Sequence, residues 1–267
     1  MRECPHAQAR HPDPDLLMDL GLAGRVALVT GGSKGIGRAI AAGLVAEGAS
    51  VAISSRSRDR LADVAGELGV HAFVHDNADL HAIPQLIDEV QAALGPIEIL
   101  VTNTGGPQPS PAPLHHTQDD WDAAYRTLVL APIQTIAAVI DGMQERRFGR
   151  IVNVGSSTIR EPSSTLMLSN THRSATLAAL KTIARDVAAD GVTLNTVLPG
   201  RIATDRLYDL YGTRQAAEAI GAGEVPAGRL GTPDEFAAAV VFLCSDRAGY
   251  ITGTALLVDG GLTRGVW

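Results

Sequence analysis

The chain has only two cysteines in 267 residues, Cys4 in a polar tail and Cys244 in an apolar stretch. Two thiols in such different settings argue against a disulfide framework and against a cysteine-based metal site, and they fit a reducing cytoplasm. Positive charge is scarce as well. Against 29 Asp and Glu stand 22 Lys and Arg, a formal net charge of -7, which argues against a nucleic-acid groove or an anionic membrane surface as the main partner. No apolar run approaches the roughly 20 residues of a membrane-spanning helix, so a soluble protein is expected. No internal repeat is present. Residues 1–17, with Pro5, Pro12, Pro14 and scattered charges, lack the apolar core of a signal peptide and read as a flexible extension, with Met18 a candidate natural start. His115 and His116 are adjacent and have no carboxylate at ligand spacing, so no metal site is read from them.

What the sequence does contain is alternation. Short β-branched runs, Arg25 to Thr30 and Val51 to Ser54, each precede a longer stretch of helical period, Gly35 to Glu47 and Asp59 to Leu68. Val70 to Val74, Ile97 to Val101, Arg150 to Val154, Thr193 to Leu198 and Ala255 to Val258 add five more strands. Thr117 to Gln144, Thr165 to Ala189 and Pro233 to Cys244 add helices. This βαβ pattern predicts an α/β, doubly wound, Rossmann-type parallel sheet of seven strands, formed as a single domain over residues 18–267. At Thr232-Pro233-Asp234-Glu235 a cap candidate, a first-turn proline and two acids mark a helix start. The loop Gly105 to Pro113 carries four prolines and follows the fourth strand, where such sheets bind ligands.

Between the first strand and first helix lies Thr30-Gly31-Gly32-Ser33-Lys34-Gly35-Ile36-Gly37. Glycine suits a sharp turn, close backbone approach to a pyrophosphate and tight packing of helix on strand. The helix amino terminus offers free N–H groups and partial positive charge to phosphates. In its βαβ context the motif predicts a dinucleotide site; the competing reading is an ordinary Gly-rich turn.

The Thr-Gly-x-x-x-Gly-x-Gly spacing resembles the short-chain dehydrogenase/reductase family. Asn103 and Gly105 in Val101-Thr102-Asn103-Thr104-Gly105 resemble the family's Asn-Asn-Ala-Gly. Asn195, Pro199-Gly200-Arg201-Ile202 and Thr204 resemble its Pro-Gly-x-Ile-x-Thr segment beside the nicotinamide. The end of the chain, with Arg229 to Pro233, Ile251-Thr252-Gly253 and Val258-Asp259-Gly260-Gly261, is similar to the branch containing 3-oxoacyl carrier-protein reductases. The resemblance implies a cofactor site at Gly31, Ser33, Lys34, Gly35, Ile36, Gly37, Ser55, Arg56, Asp76, Asn77, Asn103, Gly105, Pro199, Gly200, Ile202 and Thr204. The second strand ends Ser54-Ser55-Arg56 with no acid, and Lys34 adds charge, so NADP(H) is predicted: cations welcome a 2′-phosphate that a carboxylate would repel. Solvated side chains at Arg56 and Lys34 are the competing reading.

The family's active site is an Asn, Ser, Tyr, Lys tetrad, and only its Ser is kept, as Ser156. Leu128 stands at the Asn position, Ser169 at the Tyr position and Arg173 at the Lys position. An aliphatic hydroxyl is shorter and far less acidic than a phenol, and Arg does not shed a proton at working pH, so cofactor holding by Arg173 survives better than proton donation by Ser169. His172 shares a helix face with Ser169 and Arg173, and an imidazole there is a candidate proton carrier; packing is the competing role. Tyr208 and Tyr211 fall in a substrate lid near 204–228 implied by the resemblance. Gly105-Gly106-Pro107, Arg160-Glu161-Pro162 and Leu168-Ser169-Asn170 resemble a divergent branch without the standard tetrad.

These features predict an atypical NADP(H)-dependent oxidoreductase acting on a small-molecule carbonyl or alcohol, with Ser156, Ser169 and Arg173 as its catalytic set. The alternatives are a non-redox elimination, isomerisation or cyclisation on the same fold, and a non-catalytic nucleotide-binding protein. Pairing of the two long helices in the family implies a homotetramer, with a dimer next.

Overall fold

Val26–Thr30, the first strand (β1), is buried at every position, and its side chains divide alternately between two cores. Ala27 and Val29 enter one, Val26 and Leu28 the other, as the twofold side-chain period of a strand covered on both faces demands. The computed structural model describes residues 18–266, so the expected extension 1–17, with Cys4, lies outside the described residues. The remaining strands are β2 (Ser50–Ser55), β3 (His71–Val74), β4 (Ile99–Thr102), β5 (Gly149–Val154), β6 (Val192–Pro199) and β7 (Ala255–Val258). They form one sheet in the order β3-β2-β1-β4-β5-β6-β7, with every neighbouring pair parallel.

Helices cover both faces. Ile40 and Leu44 of α1 (Gly35–Ala46), Leu61 and Val64 of α2 (Arg58–Leu68), and Phe236 and Val240 of α9 (Pro233–Cys244) fill one core. Leu86 and Val90 of α3 (Ile83–Leu94), Ile136 and Met143 of α5 (Ala131–Glu145), and Leu180 and Ala184 of α6 (Met167–Val187) fill the other. Two further helices, α7 (Asp205–Tyr211) and α8 (Arg214–Glu224), follow β6 and enclose a small core of their own around Leu207, Ala217 and Leu230. Burial pushes the Cys244 thiol up to about 12, so this cysteine packs as an apolar side chain.

Two expectations need correction. The helix expected over Thr117 to Gln144 is α4 (Gln118–Tyr125), a π turn (Arg126–Leu130) and then α5. Moreover, the continuous stretch Gln118–Glu145 is long and apolar enough to cross a membrane by length and composition. Its apolar character serves packing instead: Ile136, Val139 and Met143 face the sheet beside α3 and α6.

The chain winds outward through β1, β2 and β3, then returns to start β4 on the other side of β1. Two neighbouring strands whose connections leave in opposite directions open a crevice at their carboxyl ends. A cleft lies there, lined among others by Thr30, Asn103, Thr104, Asn153, Val154 and Arg173.

Candidate cofactor and active site

The glycine loop closes one side of the cleft. Gly31 has a φ of 61°, a left-handed conformation that glycine adopts without strain, and a Cβ there would sit 2.7 Å from the Asn103 carbonyl. A Cβ on Gly37 would fall on the Gly31 carbonyl and 2.8 Å from Asn103 Nδ2. Asn103 braces this turn: its Nδ2 donates to the Gly31 carbonyl at 3.2 Å, while Thr30 Oγ1 accepts from its N–H and donates to its carbonyl, both at 2.9 Å. Lys34 caps α1 with extended backbone and no side-chain hydrogen bond, so the first-turn N–H groups, including those around Gly35 and Ile36, have no side-chain acceptor. That arrangement fits a phosphate, which would accept those hydrogen bonds.

The far edge of the loop is polar. Ser55 Oγ donates to Ser33 Oγ at 2.8 Å, and Lys34 is exposed. The Arg56 side chain is 79% exposed and reaches Asp76 only at 4.0 Å, so its charge is available to a ligand at the end of β2. Asn77 Nδ2 donates to the Asn103 carbonyl at 3.3 Å, which puts the Asp76-Asn77 turn beside the cleft. Gly105 is exposed, with open space where a Cβ would stand. The neighbouring Gly106, read in the sequence only as part of Gly105-Gly106-Pro107, is the closely approached position.

Beyond β6, Pro199 is the strand's last residue and the Gly200 N–H donates to the Val258 carbonyl at 3.0 Å. Ile202 pairs in a short parallel bridge with Gly231. Thr204 caps α7, and its Cγ2 lies 3.4 Å from the Cβ position of Gly35. The segment after β6 therefore starts against the glycine loop.

Arg173 lines the other side of the cleft, with Ser169 beside it at Gly106 and Ser156 just past the end of β5. Ser156 ends the β5 extension as the cap of a short 3-10 turn: its Oγ accepts from the Thr158 N–H at 3.2 Å and shares a hydrogen bond of 2.9 Å with Thr158 Oγ1. Arg173, on α6, donates through Nη1 to the Val154 carbonyl at 2.9 Å and through Nη2 to the Thr104 carbonyl at 3.1 Å. It clips together the chain ends leaving β4 and β5. Burial pushes its guanidinium down to about 10, with the nearby Arg206 charge adding to the shift, so it stays cationic at neutral pH. Ser169 is buried, and its Oγ lies 3.7 Å from the Cβ position of Gly106, as does Arg173 Nη2.

Leu128 sits buried in the π turn and lines the cleft. Its carbonyl accepts a 2.6 Å hydrogen bond from Thr176 Oγ1, so at the Leu128 position the turn offers the site a backbone group and an apolar side chain, with Thr127 lining the cleft beside it. His172 faces away from chemistry. Its Nδ1 donates to the Leu168 carbonyl at 2.7 Å, and its ring packs 5.3 Å from Trp121 and 6.3 Å from Tyr125. In the segment after β6, Tyr208 Oη accepts from Nε and Nη2 of Arg214, each at 3.3 Å, and Tyr211 packs under Arg201. His116 stands 3.9 Å from Asp120 at the start of α4.

Three contributors were not legible in the sequence. Asn153, bonded through Oδ1 to Thr102 Oγ1 at 3.0 Å, Thr176 and Arg206 carry no motif of their own. Strand pairing and helix packing bring Asn153 and Thr176 to the cleft, and Arg206 reaches Gly106.

Comparison with known proteins gives a consistent result. A family model described as enoyl-(acyl carrier protein) reductase matches residues 31–263. A 3-oxoacyl-[acyl-carrier-protein] reductase of Vibrio harveyi is 38% identical over 247 residues, covering 91% of this chain and 99% of that protein. An acetoacetyl-CoA reductase of Shinella zoogloeoides is 38% identical over 239 residues, covering 89% and 98%. Among solved structures, the L-sorbose reductase of Gluconobacter frateurii complexed with NADPH and L-sorbose superposes with a TM-score of 0.86 at 30% identity, covering 93% of this chain and all of that one.

Proposed function

The chain belongs to the short-chain dehydrogenase/reductase family of oxidoreductases, and from that premise we propose that it is an atypical NADP(H)-dependent reductase of a small-molecule carbonyl, or dehydrogenase of the corresponding alcohol. One observation carries this reading. The braced glycine turn, the uncapped start of α1 and the exposed Arg56 cation stand at the carboxyl ends of β1 and β2, where Thr30 and Asn103 line the cleft that Arg173 also lines, with Ser169 beside Arg173 at Gly106.

In that reading the first-turn N–H groups of α1 hold the pyrophosphate. Ser33, Lys34, Ser55 and Arg56 hold the 2′-phosphate, and Asp76 and Asn77 border the adenine. Bound NADPH supplies the hydride. Arg173 has five N–H donors, of which the Val154 and Thr104 carbonyls take two. The remaining donors are left for ribose hydroxyls, and the positive charge stabilises an oxygen that becomes anionic. Ser156 polarises the carbonyl oxygen, turning its hydroxyl from Thr158. Ser169, or a water held by it, passes the proton.

Loss of the family's phenol and ammonium defines the divergent branch to which the proposal assigns the chain. The same loss favours, as a second reading, a non-redox reaction on the retained nucleotide site. Residues 204–228 act as the lid, packed on their own small core. The cofactor assignment is tested by comparing NADPH and NADH affinities before and after Arg56→Ala. The expected result is tighter NADPH binding, with an advantage of about tenfold or more lost in the variant. Equal affinities in the unsubstituted protein would refute the phosphate assignment.

A further inference from the structure

Most arginines of the segment after β6 are paired with a carboxylate. Arg201 meets Glu224 at 3.1 Å, Arg214 meets Glu218 at 3.3 Å and Arg229 meets Glu235 at 2.6 Å. Arg206 is not. Among the described residues its one hydrogen bond runs from Nη2 to the Pro107 carbonyl at 3.0 Å. The same Nη2 lies 3.2 Å from the Cβ position of Gly106, a point that Arg173 Nη2 and Ser169 Oγ each approach at 3.7 Å.

Two guanidinium groups from different elements, the first turn of α7 and the second turn of α6, thus converge on one loop, where among the described residues they donate only to backbone carbonyls. Desolvation lowers the pKa of both groups, and the Arg206 charge lowers that of Arg173 further by repulsion. Arg206 keeps an exposed surface and Arg173 is half-buried, so both cations stay reachable by a ligand while their like charges repel. An oxyanion placed beside Gly106 would reverse the sign of the interaction, and the planar forks of arginine match a carboxylate well.

We propose that the substrate is an oxo acid or hydroxy acid whose free carboxylate is held between Arg206 and Arg173 beside Gly106, next to the reacting carbon. The proposal rests on the reductase reading for the reacting carbon, while the anion site stands on the arginine geometry alone. Proximity to Ser169 places the carboxylate within a few bonds of the carbonyl. A thioester such as acetoacetyl-CoA is neutral at that position, so the proposal separates this chain from the acetoacetyl-CoA reductase it resembles. In the reducing direction, hydride adds to the carbonyl carbon, the oxygen takes one proton from Ser169 or water, and NADPH leaves as NADP+. The carboxylate is unchanged.

Two measurements on the full-length protein test this. In the first, NADPH oxidation is followed with short 2-oxo and 3-oxo acids, their methyl esters and acetoacetyl-CoA. The free acid should exceed its ester in kcat/KM by about tenfold or more, and Arg206→Gln should collapse that preference through KM with NADPH affinity kept. Equal use of acid and ester, preference for the thioester, or a parallel loss of NADPH affinity in Arg206→Gln would overturn the proposal. In the second, thermal unfolding with NADP+ present is measured with oxamate, neutral oxamide or inorganic phosphate. A ligand that binds only the native state raises the midpoint. Oxamate alone should do so, and Arg206→Gln should abolish the shift. Stabilisation by phosphate but not oxamate, or the same response in wild type and variant, would overturn the carboxylate site. If no oxo compound oxidises NADPH while oxamate still stabilises through Arg206, the reductase reading fails and the anion site stands.

Discussion

The hydroxyl of Thr176 shares one proton between two carbonyls, Leu128 at 2.6 Å and His172 at 2.9 Å. It is 2% exposed, so water cannot take over either bond. Thr176→Val would keep the shape and leave the Leu128 carbonyl without its donor, at a cost of about 1–3 kcal/mol. Urea unfolding checks this; an unchanged midpoint would show that the π turn does not depend on the hydroxyl. No motif points to Thr176, because its role is set by where α6 crosses the π turn. Arg173 shows the opposite balance. Its place at the cleft is legible from its spacing to Ser169, but its two backbone bonds are not, since they depend on where the loops after β4 and β5 end. His172 has a favourable position on the helix, and the Trp121 and Tyr125 rings explain why it packs there.

Helix ends are the best-read elements of the chain. Thr232-Pro233-Asp234-Glu235 spells a start for α9, and a full capping box forms there: the Thr232 hydroxyl accepts from the Glu235 N–H at 3.1 Å, and Glu235 accepts from the Thr232 N–H at 2.8 Å. Arg229 adds two further hydrogen bonds to the same carboxylate. Together, Arg229 first and the Thr232 N–H next, they hold Glu235 down at about 2 against its ordinary 4.5. A depressed carboxyl pKa stabilises the fold fully above the unfolded value, and that contribution is lost as pH falls through the folded value. Stability should therefore decline between pH about 4.5 and about 2, and Glu235→Gln should flatten that part of the profile in unfolding measurements. A variant with the wild-type slope would contradict the assignment. Strands were legible to within a residue or two because buried β-branched runs have few alternatives. The π turn was not, since five residues of wider helical bonding leave the apolar period intact.

The seven-stranded sheet and its crevice were readable as a whole because the glycine loop, the strand ends and the Pro-Gly segment are each local in sequence. The chemical side is not local. Gly106, Ser169, Arg173 and Arg206 meet from three separate segments, and Arg206 looks in sequence like any solvated lid charge. The family resemblance extends the proposal to quaternary structure, with α4, α5 and α6 pairing between subunits. Tyr125, 47% exposed on α4, offers apolar area that such pairing would cover. Solution scattering should give four times the chain mass, and a monomer would reject the arrangement.

The central claim is that this cleft moves a hydride despite the missing phenol. Rapid mixing of the NADPH-loaded protein with short oxo acids, read at the reduced-nicotinamide absorbance band, tests it most directly. The account predicts loss of that absorbance with one hydroxy acid formed per NADPH consumed. NADPH that binds tightly and stays fully reduced across every oxo acid would contradict it.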